Sequence, residues 1–305
     1  MSLMKVGVKI MFLFIIVGIA GCKSKNERSD GGIPEKLMFA VVAGADPGTR
    51  EGMMEPIGDY LSKKVGVPVE FVFTTDYTSV IEALKAKKVH MADIPPFAYV
   101  IASKTADIIP IIVLGADGKP SFYKSMLIAS KRSGLKTMED VKAKAKDLNL
   151  CFADPASASG HLVPKAYLIS IGLEPKTSFK EVLFGGGHLG TVFSVKSGKV
   201  DIGCTIQLVL DMMVRKKSIE ENEFTTLWTS DPIVAQPIVV RNDLNKALVK
   251  KIQDAYLDMD NDAPETLKNY LAVYHKDGER LTYQIAYDSM YNGLRKIASG
   301  IKDLN

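Results

Sequence analysis

Leu148–Ala153 reads LNLCFA, and Ala153–Pro164 reads ADPASASGHLVP. The first is a short apolar run of strand character. The second opens on turn formers and leads into a helical pattern. Pro164 has no amide hydrogen and is tolerated only near a first helical turn, so the spacing predicts a helix starting close to Ser159–Gly160. Ser157, Ala158, Ser159 and Gly160 then bring hydroxyls and unspent backbone N–H groups to the positive end of that helix. Such a start suits an anion. The same residues also read as an ordinary helix cap with spare serines, so the assignment depends on what converges with them.

Working outward, short apolar runs alternate with amphipathic helical patterns. Strands are expected at 37–43, 69–73, 91–94, 108–114, 123–129, 148–153, 182–184, 200–204 and 237–240. Helices are expected at 53–65, 78–87, 137–146, 162–171, 190–197 and 208–215. This alternation predicts α/β architecture with parallel sheets and helices on both faces. It falls into two blocks, roughly 36–122 and 123–236, and after Val240 the pattern reads as helices only, Leu281 and Ile285 included. A chain that builds one lobe, crosses to a second and returns leaves a cleft at its crossings. Open α/β sheets bind ligands beyond the carboxyl ends of their strands.

The 305 residues are 47% hydrophobic and 24% charged, an ordinary globular mix that excludes wholesale disorder and coiled coil. The formal charge is +4; without Lys5 and Lys9, 37 basic and 35 acidic residues remain, and no basic run argues for nucleic acid. Residues 1–21 read as a signal peptide, with Lys5 and Lys9 before the apolar run Ile10–Ile19. Ten apolar residues are too few to span a bilayer. Ile19-Ala20-Gly21-Cys22 resembles a bacterial lipobox, which implies that Cys22 is lipidated. Residues 22–34 then form the lipidated terminus and a solvated tether, of which residues 23–34 reach roughly 40 Å when stretched. The expected location is extracytoplasmic, anchored to the cell membrane on its periplasmic or outer face. Cys151 and Cys204 sit in apolar runs, where a buried free thiol and a disulfide both remain open. No His or Cys stands near either at metal-ligand spacing, so neither metal nor cofactor is expected.

Three further segments follow apolar runs or form a crossing: Thr75–Ser79 (TDYTS), Gly185–His188 (GGGH) and Leu227–Arg241 (LWTSDPIVAQPIVVR). With DPASASGHLVP, HMADIPPFAYV at 90–100 and GGHLGTVFSVKSGKVDIG at 186–203, these resemble the substrate-binding proteins of phosphate/phosphite/phosphonate ABC transporters. The resemblance runs from about Leu37 to Arg241 and is looser beyond. It implies a two-lobed, periplasmic-binding-protein-like (type II) α/β fold with a hinge and interlobe cleft. Lobe 1 would be residues 35–122 plus 237–305, and lobe 2 residues 123–236.

The resemblance also implies ligand contacts from Ser157, Ala158, Ser159 and Gly160, with Ala158 where relatives often carry threonine. It adds Tyr77 and Thr78 after Asp76, His188 after the glycine turn, and Gln236. Relatives that bind aminoalkylphosphonates place two carboxylates around the ammonium. Leu208 and Gln236 stand there, uncharged, with Asp231 close by in sequence. Asp93 replaces a tryptophan and Ile94 follows it, altering the pocket wall. The implied ligand is a small oxyanion lacking an amino group, and the implied partners are a permease and its ATPase. A monomer is expected, and a sensor delivering its closed form to a receptor kinase is the alternative. A hydrolase is disfavoured: Ser159 and His161 are two residues apart at a helix start and do not face one another, and no nucleophile elbow is present. No catalytic residue is therefore assigned. His161 reads as a surface residue or one behind the site, and His90 and His275 as edge or exposed positions.

Overall fold

A computed structural model describes residues 32–43, 47–220, 222–271 and 281–302. The expected signal peptide, Cys22, most of the tether and His275 lie outside the described residues.

Two sheets form the scaffold. The first has seven strands in the order Leu281–Ile285, Ile108–Ala116, Pro237–Arg241, Met91–Asp93, Leu37–Val42 and Val69–Thr74, with Lys119–Pro120 paired onto Ile108–Ala116. Leu37–Val42 lies between Met91–Asp93 and Val69–Thr74 and is covered on both faces. Leu37, Phe39 and Val41 point to one side, under the helices Pro47–Val65 and Lys246–Leu257. Ala40 points to the other, under Tyr77–Lys85 and Pro96–Ala102. This is the alternation that a strand's pleat imposes.

The second sheet runs Phe224–Thr229, Ser125–Ser130, Ile202–Ile206, Asn149–Phe152 and Glu181–Phe184. Met138–Lys144 and Val163–Ser170 cover one face, and His188–Lys196 and Gln207–Arg215 the other. Trp228 stacks on Tyr167, ring centroids 4.0 Å apart. Between the sheets, Phe122–Tyr123 pairs antiparallel with Ile233–Val234, so the two crossings are bonded to each other.

The sheets are mixed, not parallel throughout. Leu37–Val42 is parallel to its neighbours, but Pro237–Arg241 enters antiparallel to both of its own, because the return crossing reaches the sheet from the opposite end. Ser125–Ser130 is likewise antiparallel to both neighbours. After Val240 the chain is not helical alone, since Leu281–Ile285 is an edge strand with Leu281 and Tyr283 turned inward. A spacing of four residues satisfies period two as well as a helical period, which is why Leu281 and Ile285 read as helical.

The lobes touch along one side. Ala156, Ala158 and Leu162 of the second pack into the same apolar cluster as Val80, Phe97 and Tyr291 of the first. The helix Asn292–Ser299 lies against both Pro96–Ala102 and Val163–Ser170.

Cys151 pairs in register with Gly203, so Cys204 is one residue further along and points to the opposite face. Both thiols are free and buried, in different clusters. A disulfide between them would require the register to slip. A reducing agent should therefore leave the melting temperature unchanged, and thiol titration should count both cysteines only after unfolding. A melting temperature that falls on reduction would contradict this geometry.

Candidate functional site

A cavity of about 800 Å³ opens between the lobes. Tyr77, Ser157, Ser159, His188 and Gln236 all line it. All five sit where a strand gives way to a helix or a crossing returns, so the topology brings together segments far apart in sequence.

The second-lobe wall is built on Ala158–Leu162, one wide turn that continues into Val163–Ser170. Ser157 caps it, its Oγ accepting the Gly160 amide at 2.9 Å. The amides of Ala158 and Ser159 come before any intrahelical acceptor and make no other backbone bond, so both are unspent. The Ser159 carbonyl accepts the Ser125 hydroxyl at 2.6 Å, which fixes the turn to the neighbouring strand.

Gly187 stands at φ 133° before the helix His188–Lys196, a conformation that favours glycine. It swings His188 back over the first helix start, with Nε2 3.4 Å from Ser159 Oγ. A Cβ on Gly160 would sit 2.3 Å from the Ala153 Cβ and 3.2 Å from His188 Cε1. Only glycine lets these two helix starts approach so closely.

The geometry refines three of these positions. Gly160 contributes close packing, because its amide is already spent on Ser157. Ala158 has its side chain in the interlobe cluster, 1% exposed, and offers only its amide. Thr78 is exposed, stands in a first turn capped by Asp76 through the Ser79 amide, and does not line the cavity. Leu208 lines the cavity, whereas Asp231 is exposed and stands away from it. His90 is buried, its Nδ1 accepting the Met38 amide at 3.0 Å. His161 is buried too, its Nδ1 2.8 Å from the Pro155 carbonyl and its ring edge-on to Phe152 and Phe184.

Other groups were not singled out as ligand contacts from sequence. Tyr123, on the crossing strand, lines the cavity and meets the Ser159 side chain; burial pushes its hydroxyl up to about 12. Asp154 accepts the Ala156 amide at 2.7 Å and the amide of Tyr77 from the other lobe, a polar link beside the apolar interlobe contact. On the first-lobe wall, Asp93 is buried with Arg50, Tyr270 and Gln236 around it. An aspartate inside an apolar strand is a signal in itself. Its partners lie 43, 177 and 143 residues away, beyond the reach of spacing arguments.

A protonated imidazole would give an anion its strongest bond, but the structure does not favour one at His188. Its ring faces the cleft rather than bulk water, and burial lowers its pKa to about 4, so the imidazole is neutral near neutrality. The Cys204 carbonyl offsets this only weakly, since Nδ1 is buried without a well-formed hydrogen bond. A neutral imidazole still donates one N–H. The folded value lies below the usual 6.5, so the unfolded chain binds the proton more tightly. Stability is complete above pH 6.5 and falls as pH drops towards 4. The loss is up to about 3 kcal/mol. His188→Gln should abolish that part of the acid destabilisation in denaturation series, and coincident wild-type and variant profiles would contradict it.

Chemically, the cavity is lined by the hydroxyl-bearing Tyr77, Ser157 and Ser159 and by the His188 imidazole, beside a helix start whose first amides are unspent. That arrangement suits a small tetrahedral anion. Among the described residues no three His, Cys, Asp or Glu side chains assemble as metal ligands.

Residues 39–286 match the family described as ABC transporter, phosphonate, periplasmic substrate-binding protein. The chain is 26% identical over 296 residues to the phosphate-import protein PhnD of Mycolicibacterium smegmatis, covering 91% of this chain and 89% of that protein. Among solved structures, a binding protein component of an ABC phosphonate transporter from Pseudomonas aeruginosa superposes with a TM-score of 0.76 at 23% identity, covering 88% of this chain and 90% of that one. PhnD1 of Prochlorococcus marinus, solved with methylphosphonate, superposes with a TM-score of 0.75 at 20% identity, covering 87% and 98%. These likenesses show the two-lobed binding-protein fold.

Proposed function

Because the chain belongs to the family of periplasmic substrate-binding proteins of phosphonate ABC transporters, we propose that it captures a small phosphonate-, phosphite- or phosphate-class oxyanion in the cleft and delivers it to a permease driven by an ATPase. The reading rests on one observation: Tyr77 from one lobe and Ser157, Ser159 and His188 from the other line a single cavity. Charge-assisted bonds from such donors are worth roughly 1.5–3 kcal/mol each. Three or four, less the cost of ordering, are enough for micromolar affinity, about −8 kcal/mol. An anion bonded to both lobes favours the form in which they meet, which is how capture becomes a signal to a permease.

The ligand lacks an amino group. Leu208 and Gln236 are uncharged, Asp231 stands away from the cavity, and Asp93, the one carboxylate among the described residues of its lining, is already paired with Arg50. An ammonium left there without a counter-charge would cost several kcal/mol. The cavity is far larger than a bare oxyanion and much of its lining is apolar, Leu114, Leu208 and Met212 included, which leaves room for an organic substituent.

No bond is broken, and the protein acts as a binding protein rather than an enzyme. It works as a monomer, carries a cleaved signal at 1–21, and is held outside the cytoplasm by a lipid on Cys22 and the tether that follows. The lobes meet at the two crossings, with 35–122 and 237–305 on one side and 123–236 on the other. A thermal-shift panel tests the ligand class. Phosphite, phosphate or methylphosphonate should raise the melting temperature, and 2-aminoethylphosphonate should raise it less. A larger shift with 2-aminoethylphosphonate, or no shift with any phosphorus oxyanion, would overturn the assignment.

A further inference from the structure

The second-lobe wall offers Ser157, Ser159 and His188 to the cleft, whereas the first-lobe wall offers, besides the Tyr77 hydroxyl, an amide oxygen that can only accept. Asp93 is 6% exposed and takes three donors: Gln236 Nε2 at 2.7 Å on Oδ1, and the Tyr270 hydroxyl at 3.0 Å and Arg50 Nη2 at 3.3 Å on Oδ2. Three donors on one carboxyl call for its ionised, acceptor-only form, and Arg50 supplies the counter-charge. The carboxylate also fixes the Gln236 amide. Turned over, the amide would set two acceptor oxygens 2.7 Å apart. Among the described residues no group donates to Gln236 Oε1, and it is not sealed from the cavity that the residue lines.

We propose that Asp93 is a positioning residue that holds Gln236 with Oε1 towards the cleft, and that Gln236 selects an oxyanion bearing its own hydrogen-bond donor, a P–OH or a hydroxyl on its organic group. This rests on the oxyanion reading above. A ligand with a donor satisfies Oε1. A fully deprotonated sulfonate of the same shape sets oxygen against oxygen and leaves a desolvated carbonyl unpaired, which costs affinity. Sites built around a hydrogen bond reject analogues that lack the partner group much more strongly than apolar pockets reject a missing methylene.

The test is calorimetry on the full chain with methylphosphonate and methanesulfonate in mildly acidic buffer, where the phosphonate keeps one P–OH. Wild type should prefer methylphosphonate by about 100-fold. Gln236→Leu should shrink that preference by about tenfold, mainly by weakening methylphosphonate. Asp93→Ala should shrink it similarly, whereas Asp93→Asn, which keeps an oxygen for Nε2, should retain most of it. If Asp93→Ala does not fold, Gln236→Leu decides alone. Equal affinities in wild type, or an unchanged preference in Gln236→Leu, would overturn this inference while leaving the oxyanion site standing. Failure of wild type to bind methylphosphonate, phosphite or phosphate at all would overturn the reading beneath it.

Discussion

Ser159→Ala combined with His188→Ala should weaken binding of phosphite or methylphosphonate by about 2–4 kcal/mol, roughly 30- to 1000-fold. Each substitution alone should cost about 1–3 kcal/mol. The pair should cost less than the sum, because Ser159 Oγ and His188 Nε2 stand 3.4 Å apart and share the same anion. Thermal stability should change far less than affinity. Ser159 contributes to its turn mainly through its carbonyl, which accepts the Ser125 hydroxyl and survives the substitution. His188 has a buried Nδ1 with no well-formed bond to lose. Calorimetry and thermal melts on the same samples separate the two effects. A large drop in melting temperature with unchanged affinity would return both residues to a purely structural part.

The largest stability effect should come from Asp93→Ala. It removes the acceptor of three donors and leaves the Arg50 guanidinium, only 15% exposed, without the counter-charge it has now. Breaking a buried pair by deleting one member costs about 3–5 kcal/mol, more than the pair itself contributes. The distinguishing variant is the double replacement Asp93→Leu with Arg50→Met, which removes both charges and should recover much of the loss. Denaturant titration of the three proteins measures this directly. A double variant no more stable than Asp93→Ala would mean that the loss comes from packing around Tyr270 and Gln236 and not from the broken ion pair.

The strand, turn and helix around ADPASASGHLVP were legible because each step has a local cause. Ser157 is the cap, the Ala158 and Ser159 amides are the unspent pair, and Pro164 sits in the first turns as its missing N–H requires. The convergence of Tyr77, Ser159 and His188 was legible only through the resemblance, since nothing in their spacing places them in one cleft. Gly160 reads as a contact in sequence, but its amide is spent one residue-turn away, a fact only geometry carries. The mixed pairing of the first sheet was hidden because a buried strand has the same apolar composition whichever way it runs. His90 reads as an edge or exposed position and His161 as a surface residue or one behind the site, yet both are buried; a histidine that satisfies a backbone group in the core looks no different in sequence from one at the surface. The Asp93 network was hidden for a related reason, its partners being brought together by the fold alone.

The central claim is that one oxyanion is held across the cleft by both lobes. A crystal structure of the full chain with methylphosphonate tests it most directly. The account predicts phosphonate oxygens within hydrogen-bond distance of the Ala158 and Ser159 amides, a hydroxyl of Ser157 or Ser159, His188 Nε2 and Tyr77. Methylphosphonate bound elsewhere, with these groups turned to solvent, would contradict it.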